Sequence, residues 1–323
     1  MAALLILSVT AVVVVNGWTD APGALTTVVC AGALPYRRAV GLVALCNGVG
    51  AALAGLLLPR VASTMLQLAV FPRLGGWAAC LLLCLVLWVV SLWGALAWVW
   101  GIPTSESHAL LAALGGAALA VGGGSPDLAL WGQVGLGLIC SAGGAWLLGR
   151  WMLPRNPQPQ SAALGTKQTL YCAGLALLHG AQDGQKYTAM LCAAGLGSGF
   201  GGQLGAVLLC ACAMALGSSL GGGRIVQSIG SDMAPLDGHT ALCTDRASAL
   251  TLAVCTLLGL PVSTSTVKVC SSAGAAHRLG LLHHRVFGRM WAAWLLTFPV
   301  CLGLGWLGGK ICLFLSACFP VLH

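Results

Sequence analysis

From Trp77 to Trp100 the chain carries no charged residue, and five of its positions are tryptophan. A run of this length matches the roughly 20 apolar residues that take an α-helix across a bilayer. It does not match the one-sided apolar stripe of a helix lying on a water-soluble core. Trp93, Trp98 and Trp100 crowd its end, where an interfacial aromatic belt would lie. Comparable runs recur at Ala39 to Leu58, Leu128 to Gly149, and Met290 to about Pro320. Of 323 residues, 58% are hydrophobic and 7% charged, a balance that no soluble domain of this size requires. The chain is therefore predicted to be an all-α, multi-pass protein of the cell membrane with about ten to twelve spanning or re-entrant helices.

The net charge of +8 comes from 15 Lys and Arg against 7 acids. The bases fall between apolar runs, at Arg37, Arg38, Arg60, Arg73, Arg150, Arg155 and from Arg278 to Arg289. That placement reads as topology, with contact to anionic membrane lipid, rather than as a nucleic-acid surface. Fifteen cysteines are scattered without a CxxC pair or a Cys/His zinc spacing, so they are read as small apolar packing residues. The first run, Ala2 to Val15, has no basic start and no small-residue cleavage site; it reads as a retained first helix that stops at Asn16.

Four polar interruptions stand out against this background. Two are acidic breaks, Asn16-Gly17-Trp18-Thr19-Asp20-Ala21-Pro22-Gly23 and His179-Gly180-Ala181-Gln182-Asp183-Gly184-Gln185-Lys186. Two are hydroxyl runs behind a proline, GIPTSES at Gly101 to Ser107 and GLPVSTS at Gly259 to Ser265. Asp183 minus Asp20 is 163, Arg224 minus Arg60 is 164, and Gly259 minus Gly101 is 158. Three features in the same order at nearly constant offset make the chain an internal duplication. It divides into a first repeat at 1–149, a linker at 150–167 rich in proline and bases and read as cytoplasmic, and a second repeat at 168–323. Repeats of this kind in secondary transporters are often inverted, with broken helices meeting at the midplane.

Each hydroxyl run is written as a helix start: proline suits the first turn, and Ser or Thr either caps the orphan N–H groups or leaves them to a ligand. N–H groups and the positive end of the helix dipole then favour a small oxyanion. The donors are Thr104, Ser105 and Ser107 in the first run and Ser263, Thr264 and Ser265 in the second. An aspartate at membrane depth costs about 2.5 to 3.5 kcal/mol on insertion scales, so Asp20 and Asp183 need a partner or a cavity. With oxygens from Asn16, Thr19 and Gln182 they suit sodium or a proton relay rather than a soft metal. Glu106, His108 and His179 are candidate proton carriers. Lys186, three residues beyond Asp183, is read first as its ion-pair partner.

The four motifs resemble those of the inorganic phosphate transporters of the PiT type, whose signatures are an NG-x-x-D-x-x-N or HGAND-type break and a GLPxSxxH hydroxyl motif, one of each per repeat. They stand here as NGWTDAPG, HGAQDGQK, GIPTSESH and GLPVSTST. The resemblance implies a symporter that moves inorganic phosphate with a proton or a sodium ion by alternating access; a homodimer is compatible with it. The chain departs from the pattern at Gly23, Glu106, Gln182 and Thr266, and Lys268 adds a base one turn into the second hydroxyl helix. Another tetrahedral oxyanion, sulfate above all, is the alternative cargo. An intramembrane enzyme is disfavoured, because no GxSxG elbow, HExxH helix or Ser/Lys dyad is present. A passive channel fits the buried carboxylates less well than coupled transport does.

Overall fold

The computed structural model describes residues 1–69, 71, 73–122, 128–153, 162–195, 199–234 and 236–318. Every regular element among them is helical. The first half contributes α1 (Ala2–Thr19), α2 (Pro22–Cys30), α3 (Tyr36–Leu57), α4 (Arg60–Leu68), α5 (Gly76–Val99), α6 (Glu106–Val121) and α7 (Leu128–Trp151). The second contributes α8 (Ala162–Ala193), α9 (Gly199–Ser219), α10 (Gly223–Gln227) running into a π-helical turn (Ser228–Met233), α11 (Gly238–Leu257), α12 (Thr264–Leu279) and α13 (His284–Cys318). Six helices are long and apolar enough to cross a membrane: α1 continued by α2, α3, α5, α7, α9 and α13. The short α4 buries Val61, Met65 and Leu68 and leaves Arg60 exposed, the spacing of a one-sided helix.

The halves exchange partners. The last helix of each repeat packs on the hydroxyl-run helix of the other, α13 on α6 and α7 on α12; likewise α3 packs on α8 and α9 on α1. Glycines set these contacts, as close helix approach in a bilayer demands. Gly50 and Gly180 face the carbonyls of Leu177 and Asn47, while Gly217 and Gly17 face those of Val14 and Met214. Gly116 and Gly305 meet the carbonyls of Leu302 and Ala113; Gly274 and Gly149 meet those of Trp146 and Ser271. Each contact in one half has its counterpart in the other, so an approximate two-fold relates the repeats.

The repeats are inverted. The helices α5 and α6 pack on each other across a turn, so as a hairpin they return the chain to the side it came from. The continuous α1–α2, α3 and α7 then make an odd number of crossings, and the second repeat begins on the opposite face. By this equivalence α8 and α11 match α1–α2 and α5, although Asp183, Lys186 and Asp245 make them less apolar.

Three boundaries differ from the sequence reading. The first helix passes through Asn16 to Thr19, and the interruption falls at Asp20–Ala21, because Pro22 has no N–H to give to the preceding turn. Tighter bonds take over there, from Gly23 N–H to Asp20 O at 3.0 Å and from Ala24 N–H to Ala21 O at 2.9 Å. The second acidic stretch does not break at all: α8 runs unbroken through His179–Lys186, where no proline stands. The linker is shorter than 150–167, since α7 reaches Trp151 and α8 begins at Ala162; residues 154–161 lie outside the described residues.

Candidate functional site

Gly101 and Gly259, with φ of +67° and +71°, turn the chain from α5 into α6 and from α11 into α12 through the left-handed region that glycine adopts freely. The extended residues that follow deliver Ser105 and Ser263 as N-caps, accepting from the N–H groups of His108 at 3.0 Å and Thr266 at 3.1 Å. Capping is thus the role these two serines already perform, and Ser263 also donates its hydroxyl proton to Thr266 Oγ1 at 2.7 Å. The two helix starts then grip each other. Ser107 Oγ donates to Val262 O at 3.1 Å and Ser265 Oγ to Thr104 O at 2.9 Å, a reciprocal pair related by the same offset of 158. Two positive dipole ends meet in the protein interior. Outside them Arg60 and Arg224 donate to the terminal carbonyls of Leu257 and Val99, at 2.6 and 3.0 Å, tying the short helices α4 and α10 to the turns.

Beside this junction lie three fully buried carboxylates, Asp20, Glu106 and Asp183. Asp183 accepts from Lys186 Nζ at 2.6 Å and from Thr264 Oγ1 at 3.2 Å, and its carboxylate is 2.9 Å from His179 Nε2. Asn16 Nδ2 bridges Asp183 at 3.3 Å and Asp20 at 3.5 Å. Glu106, the first residue of α6, accepts from Thr19 Oγ1 at 2.5 Å and Tyr187 Oη at 3.1 Å. Lys186 also donates to Ser107 Oγ and Val262 O, both at 2.6 Å, so its charge sits where the two helix starts touch.

Three carboxylates share one ammonium, so with the acids ionised the cluster holds more negative charge than it neutralises. Such an excess is costly in a dry interior unless cations or protons join it. The residues fit a cation: Asp20, His179 and Asp183 present ligand atoms all within 4.8 Å of one another, and the buried Asn16 Oδ1 beside them has no hydrogen-bond partner among the described residues. Carboxylate and amide oxygens are hard ligands, as an alkali cation prefers.

The sequence profile of the phosphate transporter family matches this chain twice, over residues 16–154 and 152–305. The chain belongs to the phosphate transporter family. The two matches follow the two repeats. The transporter is 29% identical over 300 residues to a "Probable low-affinity inorganic phosphate transporter" of Rhizobium meliloti (strain 1021), covering 88% of each chain. It is 28% identical over 308 residues to one of the same name from Bacillus subtilis (strain 168), covering 90% of this chain and 91% of the other. Its fold superposes on the solved structure of "The sodium-dependent phosphate transporter" with a TM-score of 0.82 at 16% identity, over 96% of this chain and 98% of that one. It is a multi-pass membrane transporter and not an enzyme.

In this transporter the expected site residues divide. Asn16, Asp20, Ser107, His179, Asp183, Lys186 and Thr264 share one hydrogen-bonded cluster, Thr104 and Ser265 stand beside it in the crossed contact, and Thr19 bonds Glu106 in a neighbouring group. Gln182 stands to one side, donating to Thr256 Oγ1 and Leu260 O at 3.1 Å each. Glu106 and His108 stand apart: no hydrogen bond joins them among the described residues, and the His108 ring lies 4.9 Å from that of Phe298 while Glu106 faces α1 and α8. Lys268 is also elsewhere, on Asp245.

Sequence reasoning missed Tyr187 and Trp294, whose indole donates to Pro103 O at 2.9 Å, because an aromatic in an apolar run looks like core. It also missed Gln185, whose Oε1 accepts from the N–H groups of Val61 and Ala62 and so caps α4. A cavity of about 370 Å³ opens beside Gly101 and Ile102, with Arg224 and Arg289 on its wall. Asp232 shares that wall, next to the first hydroxyl turn.

Proposed function

We propose that this chain moves inorganic phosphate with a sodium ion or a proton by alternating access, with the anion bound at the junction of the two hydroxyl turns and the cation among Asp20, Asp183 and Asn16. The observation that carries this reading is the crossed Ser107–Val262 and Ser265–Thr104 contact, which brings both helix starts and the Lys186 ammonium to one point beside the carboxylates. Dipole ends and hydroxyl donors attract a small oxyanion without a fixed excess of positive charge, and a co-bound cation offsets the carboxylates. Inverted repeats around such a junction supply the symmetry that alternating access uses.

Glu106 favours phosphate over sulfate. It is a carboxylate at the first position of α6, and only phosphate carries a proton to donate to it. The test is uptake of labelled phosphate into proteoliposomes under imposed sodium or proton gradients, with sulfate as competitor. Uptake driven by one gradient and lost in both Asp20→Asn and Asp183→Asn supports the reading and names the ion. Uptake indifferent to both gradients, or abolished by a small excess of sulfate, overturns it.

A further inference from the structure

A second polar cluster lies buried away from the carboxylates just described. Lys268 Nζ contacts Asp245 Oδ1 and donates to Thr27 Oγ1 at 3.2 Å. Thr27 Oγ1 lies 2.8 Å from both Asp245 oxygens, and Gln168 Nε2 donates to Asp245 Oδ2 at 2.5 Å. All four side chains are buried, and Gln168 Oε1 has no hydrogen-bond partner among the described residues. The lysine stem passes beside Gly23, where an added Cβ would be in ordinary contact, 3.6 Å from Lys268 Cγ.

The duplication shows what this place needs for folding. Asp245 and Lys268 correspond, at the offset of 158, to Leu87 and Leu110; Thr27 and Gln168 correspond, at 163, to Met190 and Leu5. Those four are fully buried in one apolar cluster. The first repeat therefore fills the position with hydrocarbon alone. A buried ion pair is seldom more stabilising than well-packed apolar residues of similar volume, so the charges in the second repeat are not there for packing. The cluster also has an approach: Gln168 lines a cavity of about 690 Å³ walled by the α2–α3 connection and the start of α8.

We infer that Asp245, Thr27 and Gln168 form a monovalent-cation site in which this chain keeps its own resident cation, the tethered ammonium of Lys268. A carboxylate, a hydroxyl and a free amide oxygen are hard ligands of the kind that take an alkali or ammonium ion. The lysine fills the site with its own ammonium, so the Asp245 carboxylate is neutralised by a tethered cation and asks for no ion from solution. This inference concerns binding at Asp245 and stands whether or not Asp20 and Asp183 couple transport to sodium.

The experiment removes the tether and offers a free cation. Purified Lys268→Ala protein is melted in choline chloride and in rising ammonium, potassium or sodium chloride, beside wild type and the Asp245→Leu/Lys268→Leu double variant that copies the first repeat. The expected result is a melting temperature of Lys268→Ala that climbs with the logarithm of ammonium or alkali cation concentration, beyond any rise in the other two proteins. A Lys268→Ala protein no more cation-sensitive than the others overturns the inference. So does one that fails to fold in every salt while the double variant folds. Failure of the double variant also overturns it, because the lysine would then be required for packing rather than for charge.

Discussion

The crossed helix contacts make a sharp prediction at two adjacent glycines of α6. An added Cβ at Gly116 would stand 1.9 Å from Leu302 O and 2.9 Å from Trp306 N, both backbone atoms of α13. Ordinary contact begins near 3.4 Å, so the two helices must part by about 1.5 Å (3.4 minus 1.9). At Gly115 the same atom would meet only the Trp131 ring, at 3.6 Å. Both substitutions gain the same helix propensity, about 0.8–1.0 kcal/mol over glycine, so the difference between them isolates the contact. Overpacking of this kind costs about 1–3 kcal/mol. Gly115→Ala should therefore melt at or slightly above wild type in detergent, and Gly116→Ala several degrees below it. Phosphate uptake should fall in Gly116→Ala alone, because α6 carries Ser105, Glu106 and Ser107. Gly274→Ala, facing Trp146 O at 2.0 Å in the other repeat, should behave like Gly116→Ala. A Gly116→Ala protein as stable as Gly115→Ala would show that α6 and α13 do not approach this closely, and the two-fold pairing would lose its basis.

Three other outcomes follow from named contacts. Lys186→Met strips Asp183 of its ammonium, and breaking a buried pair costs about 3–5 kcal/mol; the melting temperature should drop in choline buffer and partly recover in sodium, and equal melting in both would count against a cation beside Asp183. Gln185→Ala leaves the N–H groups of Val61 and Ala62 without their acceptor, at about 1–3 kcal/mol, and amide exchange should quicken at residues 60–68 while α3 stays protected. Asp237→Ala removes the N-cap that accepts from Thr240 N–H at 2.7 Å, costing about 1 kcal/mol. Burial pushes the Asp237 carboxyl up, but bonds from Thr240 and the neighbouring His239 outweigh it and hold it below its ordinary value. The stabilisation is thus present above about pH 3.9, the unfolded value, and is lost as pH falls towards the lower folded value. The melting gap between wild type and Asp237→Ala should narrow there and nowhere near neutrality.

The repeat and its motifs were legible because polar residues are conspicuous in an apolar chain and their offsets can be subtracted. The break at Asn16 was placed too early because Asn and Gly weaken a helix only when their groups go unmet. Here Asn16 Nδ2 reaches two carboxylates, and the proline sets the interruption four residues later. In the second copy Pro22 is matched by Gln185, which keeps its N–H, and α8 stays whole. The Asp183–Lys186 pair was readable from helical spacing. The Asp245–Lys268 pair was not, because the partners lie on separate helices joined by the second hydroxyl turn. Nothing in the spacing says that they face each other.

The same comparison explains where the halves agree and where they differ. Ser107 and Ser265 each bond a carbonyl of the opposite repeat, so both copies are needed to build one junction. The same holds for Gly50 and Gly217, each seated against a helix of the other half. The side chains of Thr27, Gln168, Asp245 and Lys268 bond one another, and the counterparts Leu5, Leu87, Leu110 and Met190 belong to a separate apolar cluster. A change in one such cluster leaves the other undisturbed. The two-fold therefore constrains the junction to match in both copies, while each flank is free to take a chemistry of its own: hydrocarbon in the first, a buried ion pair in the second.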